Sequence, residues 1–362
     1  MFKKIGSAEP KYLAATDLLI GDMSSVIYEF LLFDRPVVLL ANKWVKRNFP
    51  DVGPKTDLDN LKNMIEMSLQ NPNDYKDSRK YWLEKTISIE ENKASERYID
   101  LILEKSMIKK PQFIFVTGNN AVRKTNIKPL IEEVKLRSIK YSLVGRKSDI
   151  VYNDYGSNII IGAHFVDLPT STLGYKVHID HDLKGAAATN LACAIRDYKK
   201  HNYFPYVDLH IVAGDVGNRR TKLVLGPFAN RTVVGGYPKA DDLLAFCYNN
   251  VKEEVCNELG FDPSKPIVTY APAGNKKYLK PGGSLSNSVL QKMKEIGEKT
   301  DDYNILVKVK YKSNTVLKEF VYDKLRGIYS TYRFLRYSDG GEEWNKIIQD
   351  ILNEKESQIN NL

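Results

Sequence analysis

The sequence predicts an α/β protein with parallel sheets and about two domains. Short apolar runs that suit buried strands alternate with helical stretches along most of the chain. The chain has 362 residues, which at roughly 150 residues per domain is enough for about two cores. Hydrophobic residues make up 43% and charged residues 27% of the sequence, as in an ordinary globular protein. These figures exclude a disordered chain, a collagen and a disulfide-stapled mini-protein.

The first part of the chain predicts a strand, a helix and a second strand, followed by more helices. Residues 18–20 and 36–40 are apolar runs that suit buried strands, and Ser24 and Ser25 open the helix between them. Two further helical stretches follow, at residues 57–70 and 75–106.

Two more series of strands and helices follow residue 107. The first predicts strands at residues 113–116, 141–144, 159–162, 176–179, 209–213 and 232–234, and a helix at 186–195. The second predicts strands at residues 267–270, 305–309 and 332–336, and helices at 289–298 and 342–354. Such alternation predicts parallel βαβ units with right-handed crossovers. Three strands are few for a doubly wound sheet, so we expect the strands at the front of the chain to complete the second series.

The charge balance predicts an anionic partner, and the cysteines indicate a reduced compartment. Lys and Arg number 54 against 45 Asp and Glu, so the net charge is +9. No apolar run approaches the roughly 18 residues that span a bilayer, and the basic N-terminus has no hydrophobic region behind it. Cys193 and Cys247 lie among apolar residues, which favours small core residues of a cytoplasmic protein.

Two segments carry chemistry by their residue types. Ser24 and Ser25 would place two hydroxyls and free backbone N–H groups at a helix N-terminus, which suits a phosphate or pyrophosphate. The alternative is that both serines only cap the helix. His181 follows a predicted strand, where an imidazole can accept a proton from a hydroxyl. A structural or substrate-binding role stays open for His181, and so does metal ligation with His178.

Several segments resemble one family. The segment Asp22-Met-Ser-Ser-Val-Ile-Tyr-Glu-Phe, followed by Asp34-Arg-Pro-Val-Val-Leu-Leu, resembles a signature of the CDP-glycerol glycerophosphotransferases. These teichoic-acid polymerases and primases have the GT-B fold, in which two Rossmann-like domains enclose a cleft. Four more segments resemble motifs of the family: His181-Asp-Leu-Lys-Gly, Gly235-Gly-Tyr-Pro-Lys-Ala-Asp, Val268-Thr-Tyr-Ala-Pro and Ile305-Leu-Val-Lys. The likeness therefore extends over most of the chain.

The motifs stand in rotated order, because the Asp-x-Ser-Ser signature lies near the C-terminus in the family and near the N-terminus here. We infer a circular permutation of the GT-B fold, in which residues 107–362 followed by 1–106 restore the usual order. The resemblance then implies that 107–262 is the N-terminal, acceptor-side domain. Residues 263–362 and 1–106 together form the C-terminal, nucleotide-donor domain. A tandem-array fragment and an exchange of segments between two copies stay open.

The resemblance also implies a set of site residues. It assigns the role of catalytic base to His181. Donor or substrate contacts are implied for Asp22, Ser24, Ser25, Glu29, Lys308, Lys310, Pro272, Gly274, Lys184 and Tyr237. The chain departs from the family pattern at Asp182, which replaces a glycine, and at Lys310, where Lys-x-His-Pro would place a histidine.

The function that the resemblance implies is transfer of glycerol phosphate, or a related polyol phosphate, without metal or cofactor. The donor is CDP-linked or another nucleotide diphosphate, and the acceptor is a hydroxyl of an anionic polymer or a lipid-linked primer. The alternatives are a nucleotide-sugar glycosyltransferase, a UDP-N-acetylglucosamine 2-epimerase-like enzyme, and a catalytically silent protein that binds a nucleotide or phosphoglycan. Nucleic acid is not an expected partner. We expect a cytoplasmic protein, with peripheral contact to the inner face of the membrane and a homo-oligomer both left open.

Overall fold

The computed structural model describes residues 1–5, 10–22, 24–40, 49–91, 93–117, 121–152, 156–163, 167–171, 173–179, 183, 206–246, 248–271, 287–299 and 302–308. The chain divides into two compact units, Met1–Val309 and Lys310–Leu362. All described residues lie in the first unit, which contains two six-stranded parallel sheets.

The first sheet combines strands from two distant parts of the chain. Its strands are β1 (Phe2–Ile5), β2 (Leu18–Gly21), β3 (Val37–Leu40), β4 (Lys55–Thr56), β11 (Ile267–Ala271) and β12 (Asn304–Lys308). They lie in the order β1-β12-β11-β2-β3-β4, and every neighbouring pair is parallel. The central contact pairs Leu18 with Val268 and Gly21 with Ala271.

Helices cover both faces of this sheet, as the alternation of its side chains requires. On one face, Ile20 and Val268 pack with apolar residues of α3 (Leu61–Gln70) and α10 (Asn287–Lys299). On the other face, Ile267 and Leu306 pack with α1 (Pro10–Ala14) and α9 (Tyr248–Leu259). Because both faces are buried, the four inner strands, β12, β11, β2 and β3, are mostly apolar runs rather than half-polar ones.

The second sheet is formed by the middle of the chain. Its strands are β5 (Gln112–Val116), β6 (Lys140–Val144), β7 (Asn158–Gly162), β8 (Tyr175–Ile179), β9 (Leu209–Val212) and β10 (Thr232–Val234). They lie in the order β10-β9-β8-β7-β5-β6, again with every pair parallel. The predicted α/β class with two parallel, Rossmann-like sheets is therefore confirmed.

The two faces of the second sheet differ in polarity. One face packs Phe113, Phe115 and their neighbours against α5 (Ala94–Ser106) and α6 (Ala121–Leu136). The opposite face is apolar on β5 and β7, where Ile114 and Ile160 are buried. On β8 to β10 it carries the buried polar residues Lys176, His178, His210 and Thr232, which the register aligns. Helix α5 thus packs on the second sheet, although residues 2–56, which precede it, contribute strands to the first sheet. The remaining helices are α2 (Val26–Phe30), α4 (Lys76–Thr86), α7 (Asp215–Leu225) and α8 (Pro238–Leu244).

Most predicted strands are confirmed within a residue or two, and the exceptions have physical reasons. The short strand β4 gave no signal, and β1 was missed because its sequence, Phe-Lys-Lys-Ile, is half charged. Lysines of this kind are common on edge strands, where they discourage pairing with another chain. The helical stretch 75–106 is two helices, α4 and α5. Predicted features that lie outside the described residues are 186–195, 332–336, 342–354, Cys193 and Cys247.

Buried polar contacts join the two chain segments that build the first sheet. The hydroxyls of Thr16 and Thr269 lie 2.6 Å apart, and Thr16 also donates to the carbonyl oxygen of Tyr12 at 2.6 Å. The Asp17 carboxylate accepts a hydrogen bond from the backbone N–H of Ile267 and pairs with Lys252 at 3.0 Å. Because Thr16 donates to Tyr12, the Thr269 hydroxyl is the donor to Thr16.

We expect Thr16→Val to cost about 1–3 kcal/mol of unfolding free energy, because it strips the buried Thr269 hydroxyl of its acceptor. Thr269→Val should cost about 1 kcal/mol or less, since Thr16 keeps its bond to Tyr12. Urea unfolding of both variants measures the difference. Equal costs would contradict this assignment of donor and acceptor.

Candidate active site

The first sheet has a topological switch point between β11 and β2. The chain runs from β11 to β12 in one direction and from β2 to β3 and β4 in the other. In open parallel sheets, ligands bind outside the carboxyl ends of the strands at such a point. Here those ends are Ala271 and Gly21, which are paired, and Asp22 follows directly. The candidate site is therefore the carboxyl edge of β12, β11 and β2.

Asp22 is buried at this edge, with 3% of its surface exposed. Its carboxylate lies near the phenol of Tyr270, whose pKa is raised far above its ordinary value by burial and then by the charge of Asp22. Asp22 thus faces the end of the neighbouring strand, next to the switch point.

Ser24 and Ser25 lead from Asp22 into α2. The Ser24 hydroxyl accepts a long hydrogen bond, 3.4 Å, from the backbone N–H of Val26. Ser25 occupies the cap position, but its side chain makes no capping hydrogen bond. Both serines are half-buried. A capping hydrogen bond therefore does not account for the Ser25 hydroxyl.

Lys308 ends β12 on the same edge. Two strand spacings separate β12 from β2, which corresponds to about 10 Å across the edge. Lys308 thus lies on one side of the end of β11, and Asp22, Ser24 and Ser25 lie on the other. Lys310, Pro272 and Gly274, which were predicted to contribute here, lie outside the described residues.

Glu29 and Tyr237 are brought together by the fold. The Tyr237 hydroxyl donates to Glu29 Oε1 at 2.9 Å, and Lys239 Nζ donates to Glu29 Oε2 at 2.6 Å. Glu29 is 5% exposed and Tyr237 is 2% exposed. The family resemblance implies substrate contacts for Glu29 and Tyr237 but gives no role to Lys239. Lys239 stands two residues after Tyr237, in the segment that resembles a family motif, and this position is the only feature of the sequence that points to it.

His181 and Lys184 lie outside the described residues, but the chain on either side of His181 is described. Ile179 ends β8 on the second sheet. Leu183 is buried in a cluster with Ala213, at the end of β9, and Ala271, at the end of β11. The carboxyl ends of both sheets thus meet in one apolar cluster, and Leu183 belongs to it.

His178 and His210 form a buried pair on the polar face of the second sheet, with ring centroids 5.5 Å apart. Burial, followed by the charge of Arg231, lowers the pKa of His210 to about 3. Across the described part of the chain, no three His, Cys, Asp or Glu side chains are grouped to hold a metal ion. Nor is any described helix long and apolar enough to cross a membrane.

Arg35, which stands in the segment that resembles the family signature, has a structural role. Its Nη1 donates to the carbonyl oxygens of Ala14 and Thr16, both at 2.6 Å, and so closes the end of α1. The guanidinium also lies over the ring of Phe33.

Comparison with known proteins gives a family match for the part of the chain that contains β2 and Asp22. A family model, CDP-Glycerol:Poly(glycerophosphate) glycerophosphotransferase, matches residues 7–104, a little over a quarter of the chain. No curated protein sequence matches. A solved structure of the wall teichoic acid polymerase TagF with CDPG is 16% identical, with a TM-score of 0.35, and the match covers 59% of this chain and 60% of that one. The resemblance to the glycerophosphotransferases is thus confirmed for residues 7–104, the segment that holds Asp22, Ser24, Ser25 and Glu29.

Proposed function

We propose that this chain transfers glycerol phosphate, or a related polyol phosphate, from a CDP-linked donor to a hydroxyl of a cell-surface polymer or lipid-linked primer. The observation that carries the proposal is the coincidence of two independent features. The segment that matches the glycerophosphotransferase model contains Asp22, Ser24 and Ser25. These residues lie at the switch point of a parallel sheet, where such sheets bind their ligands.

The donor pyrophosphate would lie across the end of β11. Ser24 and Ser25 would donate hydroxyl hydrogen bonds to one side of it, and Lys308 would supply a positive charge on the other. Lys310 would add a second charge, and Pro272 and Gly274, which follow β11 in the sequence, would contact the nucleotide. Asp22 would orient the turn. No metal ion is required by this arrangement, since cationic side chains can neutralise the phosphates.

His181 would act as the base. An acceptor hydroxyl attacks the phosphorus that carries glycerol, a new P–O bond forms, the bond to CMP breaks, and the imidazole takes the hydroxyl proton. The support for this role is the placement of its neighbours, because Leu183 packs with Ala213 and Ala271 where the two sheets meet. Lys184, three residues after His181 in the sequence, would contact the acceptor or the donor.

We also propose that the chain is a circular permutation of the GT-B order. In the permuted chain order, the strands of the first sheet follow one another as β11, β12, β1, β2, β3 and β4. When they are numbered 1 to 6 in that order, their arrangement across the sheet is 3-2-1-4-5-6, which is the Rossmann order. The second sheet, numbered from β5, has the order 2-1-3-4-5-6. On this proposal 107–262 is the acceptor domain, and 263–362 joins 1–106 in the donor domain. A lipid-linked acceptor would place this cytoplasmic, peripheral enzyme at the inner face of the membrane.

The test of this function is nucleotide preference. We expect CDP and CDP-glycerol to raise the melting temperature of the chain, and the Ser24→Ala, Ser25→Ala double variant to bind CDP about 10- to 100-fold more weakly, because hydrogen bonds to a charged group are lost. Ser148→Ala, in an exposed turn, serves as the control. Preference for UDP or UDP-N-acetylglucosamine would contradict the proposal. Binding without turnover would indicate a silent binding protein.

A further inference from the structure

A buried charge cluster joins α2 of the first sheet to the chain that leaves the second sheet. Its members are Glu29, Tyr237 and Lys239, and we call it the Glu29 tie. The Glu29 carboxylate has one oxygen bonded to Tyr237 at 2.9 Å and the other to Lys239 at 2.6 Å. The side chains of Glu29 and Lys239 are only 7% and 16% exposed. In such surroundings an ion pair is screened far less than at the surface.

The segment that carries Tyr237 and Lys239 is itself held firmly. Its Gly235 and Gly236 carbonyl oxygens accept hydrogen bonds from Arg97 Nε at 3.2 Å and from the Tyr98 hydroxyl at 3.0 Å. Gly236 has a φ of +90°, a left-handed conformation that disfavours a side chain, and an added Cβ on Gly235 would lie 2.7 Å from the Tyr98 ring. The tie is therefore anchored on α5, which packs on the second sheet.

Asp241 makes a further contact between this segment and α5. The Asp241 carboxylate accepts hydrogen bonds from the backbone N–H groups of Ala94 and Ser95, at 2.8 and 2.9 Å. It thereby satisfies donors at the start of α5 that the helix leaves open. Helix α5 and the segment 235–241 thus form one assembly, and Glu29 binds to it.

The other end of the tie lies one helical turn from the candidate donor site. Glu29 belongs to α2, whose first residue, Val26, directly follows Ser24 and Ser25. A shift of Glu29 would therefore shift the serine turn as well. The tie connects the donor edge of the first sheet to the second sheet, where the acceptor is proposed to bind.

We infer that Glu29, Tyr237 and Lys239 are positioning residues, which hold the donor edge in register with the second sheet and do not bind the nucleotide. This inference rests on the proposed function. Each Glu29 oxygen already accepts a hydrogen bond and the side chain is only 7% exposed, so a ribose hydroxyl would have to disturb this buried ion pair to reach it. The donor binds to the first sheet alone, whereas transfer needs both sheets aligned, so loosening the tie lowers turnover and spares nucleotide affinity.

The first experiment needs no nucleotide. Glu29→Gln, Lys239→Met and the double variant are unfolded in urea. We expect the double variant to lose no more stability than the worse of the two single variants, since each removes the same contact. Lys294→Met and its partner Glu298→Gln, an exposed pair on α10, are the control and should show additive, near-zero effects. Additive losses of stability in the Glu29→Gln and Lys239→Met variants would contradict the inference that the two side chains stabilise each other.

The second experiment separates positioning from binding. In Glu29→Gln and Lys239→Met, and in Tyr237→Phe to a smaller degree, we expect kcat with CDP-glycerol to fall about 10- to 100-fold while the Kd for CDP changes less than twofold. Lys239→Arg should restore part of the loss. A tenfold weaker Kd in Glu29→Gln alone would make Glu29 a nucleotide ligand, and unchanged kcat in all variants would also overturn the inference. A wild-type chain that neither binds CDP nor turns over CDP-glycerol would refute the proposed function, whereas the urea result would still stand.

Discussion

Replacing His181 by glutamine should lower the rate of transfer from CDP-glycerol by about 10² to 10⁴ and leave CDP affinity unchanged. The reason is that an imidazole near neutral pKa can take the proton from the attacking hydroxyl, whereas an amide cannot. The nucleotide phosphates are proposed to bind to Ser24, Ser25 and Lys308 on the first sheet, so they do not need His181.

The measurement is initial rate against acceptor concentration, together with CDP binding by calorimetry. His201→Gln is the matched control, because nothing in the sequence groups that histidine with other reactive side chains. Full activity in His181→Gln would remove the base from the proposed reaction. A parallel loss of CDP affinity would instead make His181 a donor contact.

Acid should destabilise the chain through His210. Burial lowers the pKa of His210 to about 3 in the folded chain, against an ordinary value of 6.5 that applies when it is unfolded. Between these values the unfolded chain binds the proton and the folded chain does not. This contribution to stability is therefore complete above pH 6.5 and is lost as the pH falls towards 3, by roughly 5 kcal/mol in all.

A His210→Gln variant isolates this contribution, because its side chain does not titrate. The groups that face His210 are His178, on the neighbouring strand, and the positive charge of Arg231, and both remain in the variant. Urea unfolding between pH 7.5 and 4 should show wild type losing stability faster than the variant. Parallel pH curves for the two proteins would contradict the expected role of His210.

Most strands could be predicted because a buried parallel strand is a short apolar run, which can be recognised without knowing which strands lie beside it. Residues 113–116 and 267–270 are such runs, and each lies within an observed strand. The edge strand β1 escaped prediction because, among the described strands, none pairs with its outer side, and half of its residues are lysines. The break between α4 and α5 escaped it because both segments are charged and helical in composition.

The candidate site divides in the same way. Asp22, Ser24 and Ser25 could be chosen from the sequence, because hydroxyls at a strand-to-helix turn have a local pattern. The partners of Glu29 could not be predicted, since Tyr237 and Lys239 are more than 200 residues away and meet it only when the chain has folded. Whether the Ser25 side chain makes a capping hydrogen bond could not be predicted either, and in the structure it makes none.

By itself, the sequence determined the α/β class, most strand positions and the glycerophosphotransferase pattern in residues 7–104. Only the tertiary structure decided that Leu18 pairs with Val268, so that Asp22 lies at a switch point. It also decided that Glu29 is held by two side chains from the segment after β10. The physical reason is that strand propensity and helix caps depend on near neighbours in the chain, whereas strand pairing and buried ion pairs depend on which distant segments come together.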